Sequence, residues 1–365
     1  MAGRIDVHHH YLSDAYRKAY YNSGITERGF SLPQWNTDLD STFSSTQNIT
    51  TSILSLTTTG TFNLRGPGAP SLARTTNLYG HSLTTASPHK YGFFACIPDP
   101  TESLSAAIDE LTYALDTLHA DGLTLFTRYG NDNHYLGHPD FLPLWAELEK
   151  RSAIVFVHPT APADPKLINP RLIPPFFDFP HETGRAAMDM ILNNIIRDHP
   201  SVKIILSHAG GTLPYLISRA AVLLPNCRTT PKTTEEIMNE AKSFYFDIAL
   251  SGNEYTLPLL MRFAKKGHVM FGSDFPFAPA ETCEVMTGGW EKFAEGLGPE
   301  ERWLVERGCA EGLFPRLRGG GKGVNGVGDG EGKVNGVVEH EGEVNGVEHE
   351  RKVNGVEHER TVNGA

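Results

Sequence analysis

Eight short apolar runs, each of strand length, recur at residues 5–8, 51–56, 91–97, 123–126, 154–158, 203–208, 244–248 and 268–271. Between most of them lie stretches with apolar residues at 3–4 spacing, the period of a helix. The clearest spans residues 103–118, where Leu104, Ala107, Ile108, Leu111, Leu115 and Leu118 share one face. It follows Pro98-Asp99-Pro100-Thr101 and stops near Asp121-Gly122, which are start and stop signals for a helix. Weaker patterns cover 141–150, 184–197, 213–223, 234–243 and 256–265. Strands alternating with helices eight times over predict an α/β fold, a (β/α)8 TIM barrel. An open doubly wound sheet is the alternative, but no Gly-rich phosphate-binding turn follows the first run. Residues 22–50 and 57–90 are long insertions rich in Gly, Pro and Thr, placed to rise over the mouth of such a barrel.

Polar residues gather where these strands end. The first run closes as Ile5-Asp6-Val7-His8-His9-His10. Side chains alternate along a strand, so His8 and His10 share a face and His9 takes the other. His158 closes the fifth run, His208 the sixth, and Asp274 follows the eighth. In a barrel that end carries the chemistry. Three imidazoles and a carboxylate suit a borderline divalent ion, zinc first and manganese as the other fit, and leave a coordination position open. A strand-end histidine taken singly is more often structural, so the expectation rests on the set.

The 365-residue chain as a whole sets limits. There are 43 acidic and 32 basic residues, giving a net charge of −11, which lacks the basic footprint of a nucleic-acid binder. No run reaches 18 apolar residues, so no membrane span is expected. The first strand starts almost at once, leaving no room for a secretory signal. The four cysteines are scattered and form no CxxC, as expected of reduced thiols in the cytosol. From Gly319 the composition changes. Val-Asn-Gly recurs at Val324, Val334, Val344, Val353 and Val362, and Val-Glu-His-Glu at Val338, Val347 and Val356. One or two valines per unit cannot offset the entropy of ordering the backbone. Two regions are therefore expected: a barrel over 1–317 and a disordered, low-complexity tail over 318–365, whose His340, His349 and His358 read as solvated rather than ligating.

His8-His9-His10 preceded by Asp6, His158-Pro159, Ser207-His208-Ala209-Gly210-Gly211 and Gly272-Ser273-Asp274-Phe275-Pro276 resemble the signature of the amidohydrolase superfamily. More narrowly they resemble the branch typified by α-amino-β-carboxymuconate-ε-semialdehyde decarboxylase. Gly308-Cys309-Ala310-Glu311-Gly312-Leu313-Phe314 is similar to that branch's last helix, so the resemblance covers residues 1–317 and none of the tail. Members include decarboxylases of γ-resorcylate, 5-carboxyvanillate, 2,3-dihydroxybenzoate and 6-methylsalicylate, and a few lactone hydrolases. The second insertion and Phe94-Ala95-Cys96-Ile97-Pro98 look most like the fungal 6-methylsalicylate group.

The resemblance implies roles. The residues matching His8, His10, His158 and Asp274 bind the metal, and the one matching His208 stands beside it as acid or base, with Asp274 the other proton donor to consider. The fourth run holds no lysine, which implies one metal rather than a lysine-bridged pair. Arg219 lies eleven positions after His208, where the branch carries an arginine that reaches a neighbouring subunit's site; this implies a homodimer. The branch's arginine before strand two is missing from residues 36–50, which favours a monoacid; Arg65 is a weak substitute. Phe177 and Phe275 are candidates for an apolar wall around the substrate ring. The implied activity is metal-dependent, non-oxidative decarboxylation of a small aromatic 2-hydroxy acid, 6-methylsalicylate to 3-methylphenol (m-cresol) and CO2, without organic cofactor, in polyketide secondary metabolism. A lactone or amide hydrolase and a non-catalytic interaction protein remain as alternatives.

Overall fold

The computed structural model describes residues 3–23, 31–58, 60–61, 67–164 and 166–318. The repeats from 319 onward and Arg65 lie outside them. The eight expected strands are all present: β1 (Arg4–His10), β2 (Ile49–Ser55), β3 (Tyr91–Ala95), β4 (Gly122–Phe126), β5 (Ile154–His158), β6 (Lys203–Leu206), β7 (Tyr245–Asp247) and β8 (Val269–Met270). Each pairs in parallel with the next. The segment around β8 returns to β1: the Val7 N–H donates to the Phe271 carbonyl at 3.1 Å, and the Asp274 N–H to the His8 carbonyl at 2.8 Å. Those bonds close the sheet into a barrel, which removes its edges.

Strand periodicity divides the apolar residues into two layers. Ile5, Val7, Ile53, Phe94, Phe156, Ile205 and Met270 form one cluster, sealed by Phe314 and Leu317 from the end of the described chain. Their strand neighbours Leu54, Phe93, Val155, Val157, Leu206 and Phe271 belong to a larger cluster reaching out to the helices. The first layer is the barrel interior and the second is the seam between sheet and helices.

The register between β1 and β2 shifts twice, at Arg4/Ile5 and again between Asp6 and His9, and the second shift decides which way the histidines face. Asp6 lies opposite Ser52 and His9 opposite Leu54, three steps on one strand against two on the other, which is a bulge. Ile5 and Val7 face inward before it, and His8 and His10 face inward after it. The extra residue moves Asp6 to the outer side with His9.

Both insertions carry helices that their composition hid. Thr37–Thr46 lies in the first, and Ala69–Ala86 fills about half of the second and packs on β3. The latter buries Ala69, Ala73, Thr76, Asn77 and Gly80, small or polar residues that show no apolar stripe. The helix after β5 also starts earlier than the pattern at 184 suggests, spanning Pro174–Leu192 with Pro180 inside it.

Candidate active site

The bulge brings His8 and His10 to the carboxyl end of the barrel with their imidazoles side by side. His8 Nε2 is 3.1 Å from His10 Nε2. Asp274 Oδ1 lies 2.9 Å from His10 Nε2 and 3.2 Å from His8 Nε2. The His158 ring stands 5.0 Å from that of His10 and 5.3 Å from that of His8, centroid to centroid. One ligand atom from each of the four falls within 4.8 Å of the others, and all four residues are buried.

The opposite ring nitrogens decide what these atoms can bind. His8 Nδ1 faces Asp247 Oδ2 at 2.9 Å, His10 Nδ1 faces the Ser55 carbonyl at 3.2 Å, and His158 Nδ1 faces the Pro159 carbonyl at 2.8 Å. The Asp247 carboxylate and the two carbonyls accept only, and the Ser55 hydroxyl, 3.0 Å from His10 Nδ1, donates instead to the His9 carbonyl at 3.3 Å, so each Nδ1 carries the proton and each Nε2 presents a lone pair to the centre. Lone pairs 3.1 Å apart repel unless positive charge sits between them. The carboxylates favour such charge: burial opposes it on His8, but Asp247 and Asp274 outweigh burial and raise the pKa to about 10. At His10 and His158 burial prevails and the pKa falls, keeping them in the neutral, ligating form. Asp274 is held well below the usual carboxylate range: burial works against this, and its contacts with His10, His208 and His8 overrule it. Three imidazole lone pairs and one carboxylate, buried and mutually oriented, fit a single divalent cation.

His208 completes the group differently. It follows β6, and its Nε2 lies 3.7 Å from Asp274 Oδ2. Neither ring nitrogen has a hydrogen-bond partner among the described residues, although both are buried. Its backbone is left-handed at φ 54°, as are Ala209 at 57° and Asp274 at 66°. Non-glycine residues take this conformation at a cost, and do so mainly where function demands it. The His208 N–H donates to Asp247 Oδ1 at 3.1 Å. Asp247 thus orients a ligand with one oxygen and the free histidine's backbone with the other. Sequence pattern missed Asp247; the available signal was a carboxylate inside the seventh apolar run, between Phe246 and Ile248.

Asp6 settles into a structural role. Its Oδ1 accepts the His8 and Ser273 N–H groups, each at 3.1 Å, and its Oδ2 accepts the Ser273 hydroxyl at 2.6 Å. It stitches β1 to the loop that carries Asp274. Gly272 permits the close approach: a Cβ there would lie 2.8 Å from His8 Cβ and 3.2 Å from Asp247 Cβ. His9 faces away from the site as expected, with Nδ1 3.0 Å from Asp6 Oδ2 and Nε2 2.8 Å from Asp40 Oδ1.

Among the described ring contacts, neither phenylalanine expected to wall the substrate touches a ligand histidine. Phe275 stacks on Phe43 with centroids 3.9 Å apart and faces His9, on the outer side. Phe177 is exposed on its helix and touches His181. The rings that flank the ligands stand two residues later: Phe179 beside His158 at 6.5 Å, and Phe277 edge-on to His10 at 5.4 Å. Glu182, on the Pro174–Leu192 helix, is buried and accepts the Tyr135 hydroxyl proton at 2.7 Å. Arg219 is exposed on the Leu213–Asn226 helix and pairs with no carboxylate among the described residues.

The chain matches known proteins over the same span. It is 47% identical over 324 residues to a 6-methylsalicylic acid decarboxylase from Penicillium expansum, covering 87% of this chain and 97% of that one. It is 48% identical to a 6-methylsalicylic acid decarboxylase from Aspergillus aculeatus, covering 86% and 97%. A solved dihydroxybenzoic acid decarboxylase from Polaromonas, with bound manganese, shares the fold with a TM-score of 0.71 at 20% identity, covering 87% of this chain and 98% of that one. The family model described as amidohydrolase matches residues 5–316, and the chain belongs to that family.

Proposed function

We propose that the protein decarboxylates 6-methylsalicylate, an aromatic 2-hydroxy acid, to 3-methylphenol (m-cresol) and CO2. The observation that carries the reaction class is His208 beside the four-ligand cluster, with both ring nitrogens buried and without a hydrogen-bond partner among the described residues. The substrate follows from the relatives, which match nearly end to end. His8, His10, His158 and Asp274 would hold a divalent ion, zinc or manganese, which when bound would supply Lewis-acid chemistry to the substrate.

Losing CO2 directly from the ring would leave an aryl carbanion, which is too costly. Protonating the ring carbon that bears the carboxylate first avoids it. His208 is the better donor, because neither of its nitrogens is engaged, whereas Asp274 Oδ1 is turned to His8 and His10. The C–C bond then breaks, its electron pair restores the aromatic ring, and CO2 departs. That balance needs no oxidant and no organic cofactor. Phe179 and Phe277 supply the apolar walls for a methyl-bearing ring.

Two copies complete the site in this reading. Tyr215, Leu216, Val222 and Leu223 are exposed on the Leu213–Asn226 helix, next to exposed Tyr255 and Leu259 of a packed neighbouring helix. This apolar face surrounds Arg219, whose guanidinium suits a carboxylate in a partner subunit's site. No helix among the described residues is long and apolar enough to cross a membrane. The free cysteines Cys96, Cys283 and Cys309 are buried, which supports a cytosolic setting.

The test is product analysis on metal-reconstituted protein with a panel of hydroxybenzoic acids and aryl lactones. Release of CO2 and m-cresol, lost on chelation and restored by metal, is the expected result. Ring opening of a lactone without CO2 release would assign the site to hydrolysis instead.

A further inference from the structure

Away from the site just described, three more ligand-type side chains converge between β4 and β5. They are His134, His138 and Asp140, each offering one atom within 4.8 Å of the others. The two imidazole centroids are 4.2 Å apart. Asp140 Oδ2 lies 3.7 Å from His134 Nε2 and 3.5 Å from His138 Nδ1. Such separations are too long for good hydrogen bonds. They are close to the edge of a coordination tetrahedron, since ligand atoms at zinc's usual bond lengths lie about 3.3 Å apart.

The backbone that presents them is tied down on every side. His134–Tyr135 pairs antiparallel with Arg128–Tyr129. The Tyr135 hydroxyl donates to Glu182, Trp145 Nε1–H to the Leu136 carbonyl and the Gly137 N–H to Asp189, each at 2.7 Å. The Phe141 ring backs both imidazoles, 6.5 Å from His134 and 6.2 Å from His138. His138 Nδ1 accepts the Asp140 N–H at 3.2 Å, so that nitrogen carries the lone pair, and an ion binding there takes it in exchange for this cap bond. Helix capping accounts for His138 and Asp140. It does not account for His134, whose Nε2 is aimed at the same gap.

We propose that His134, His138 and Asp140 bind a second divalent ion of the zinc class, with water in the remaining positions. Two imidazoles select against magnesium and calcium, which prefer all-oxygen sites. Occupancy has a structural consequence. Arg128 on the paired strand donates to the Ala161 and Pro162 carbonyls, each at 2.9 Å, in the loop that follows His158. An ion clasping His134 to the 138–140 turn steadies that rim.

The test compares full-length wild type with the His134→Ala/His138→Ala variant by equilibrium dialysis against zinc alone, with metal per chain read by elemental analysis. Histidines elsewhere are common to both proteins and cancel. The variant is expected to bind one zinc fewer per chain, and to keep its decarboxylation rate and its primary-site metal. Asp140→Asn, which preserves the capping geometry, is expected to weaken the same equivalent. Equal zinc binding by wild type and the folded double variant overturns the proposal. If the double variant does not fold, unchanged zinc affinity in Asp140→Asn overturns it alone.

Discussion

The two ends of the barrel both bury charge and treat it in opposite ways. At the amino end Arg4 donates to the Gln47 carbonyl at 2.7 Å, pairs with Glu306 at 3.3 Å and also contacts Glu291. Glu306 in turn accepts Trp290 Nε1–H at 3.2 Å and Arg302 at 3.1 Å. Arg307 meets the Gly3 carbonyl and Glu311. Every charge there has a partner that is itself held. At the carboxyl end three imidazole lone pairs face one another, the His208 ring makes no hydrogen bond among the described residues, and two of the polar residues sit in left-handed backbone. Saturated polar groups hold a fold together, whereas unsatisfied ones are held by it until a ligand arrives.

The largest break in that contrast removes the cation. His10→Ala, or exhaustive chelation of wild type, is expected to lower decarboxylation by at least ~10³-fold, since Lewis-acid stabilisation contributes several kcal/mol. Steady-state product formation with metal content by elemental analysis checks it. Metal-free protein working at the wild-type rate would remove the reason for four convergent ligands. His208→Ala comes next. It should reduce kcat by roughly 10²- to 10⁴-fold while leaving metal content unchanged, because neither ring nitrogen holds the ion. A parallel loss of metal would move His208 into the ligand set.

How far the sequence shows this asymmetry depends on which rule governs each residue. His8, His10, His158 and Asp274 are legible because strand ends follow a period of two and a barrel puts chemistry at one rim. Asp6 is not, because the bulge shifts it to the face of His9, and a bulge leaves no trace in composition. Phe179 and Phe277 elude pattern reading for local reasons: the helix of Phe179 begins ten residues before the pattern at 184 and holds Pro180 inside it, and Phe277 follows a turn with Asp274 in left-handed backbone. The Ala69–Ala86 helix is hidden by its buried Thr, Asn and Gly. The amino-end ion network is invisible because its members are about 300 positions apart, as with Arg4 and Glu306.

The amino end should fail through stability and not through chemistry. Glu306→Gln leaves Arg4 buried with a weakened partner set, and is expected to cost about 3 kcal/mol, the low end for a broken buried pair, because Glu291 remains. Thermal melts check it, and kcat at permissive temperature should stay at the wild-type value. Acid gives the same answer. Burial pushes the Glu306 carboxyl up, but Arg302, Trp290 and Arg4 outweigh it and hold the pKa below its ordinary value. A depressed folded pKa adds stability that is complete above the ordinary carboxylate range and disappears as pH falls through the folded value. Wild-type and Glu306→Gln melting curves should therefore converge in acid. Curves that stay parallel would mean that the carboxylate's charge contributes nothing.

Asp247→Asn is the smallest change and the sharpest. Asp247 Oδ1 accepts two backbone N–H groups, from His208 at 3.1 Å and Ala249 at 2.9 Å, and neither donor can be exchanged. An asparagine must therefore keep its oxygen there and turn its NH₂ toward His8 Nδ1. Two donors then face each other unless His8 moves its proton to Nε2, and Nε2 is the atom whose lone pair belongs to the metal. Metal affinity should drop by roughly 10- to 100-fold, the usual effect of losing such an outer partner. The melting temperature should change little, since the replacement is isosteric. Competition against a chelator measures the affinity, and kcat at saturating metal shows whether His208 has stayed in place. An unchanged affinity would mean that the His8 tautomer is set by something other than Asp247, and that the two ends of the barrel differ less in how they orient charge than the geometry indicates.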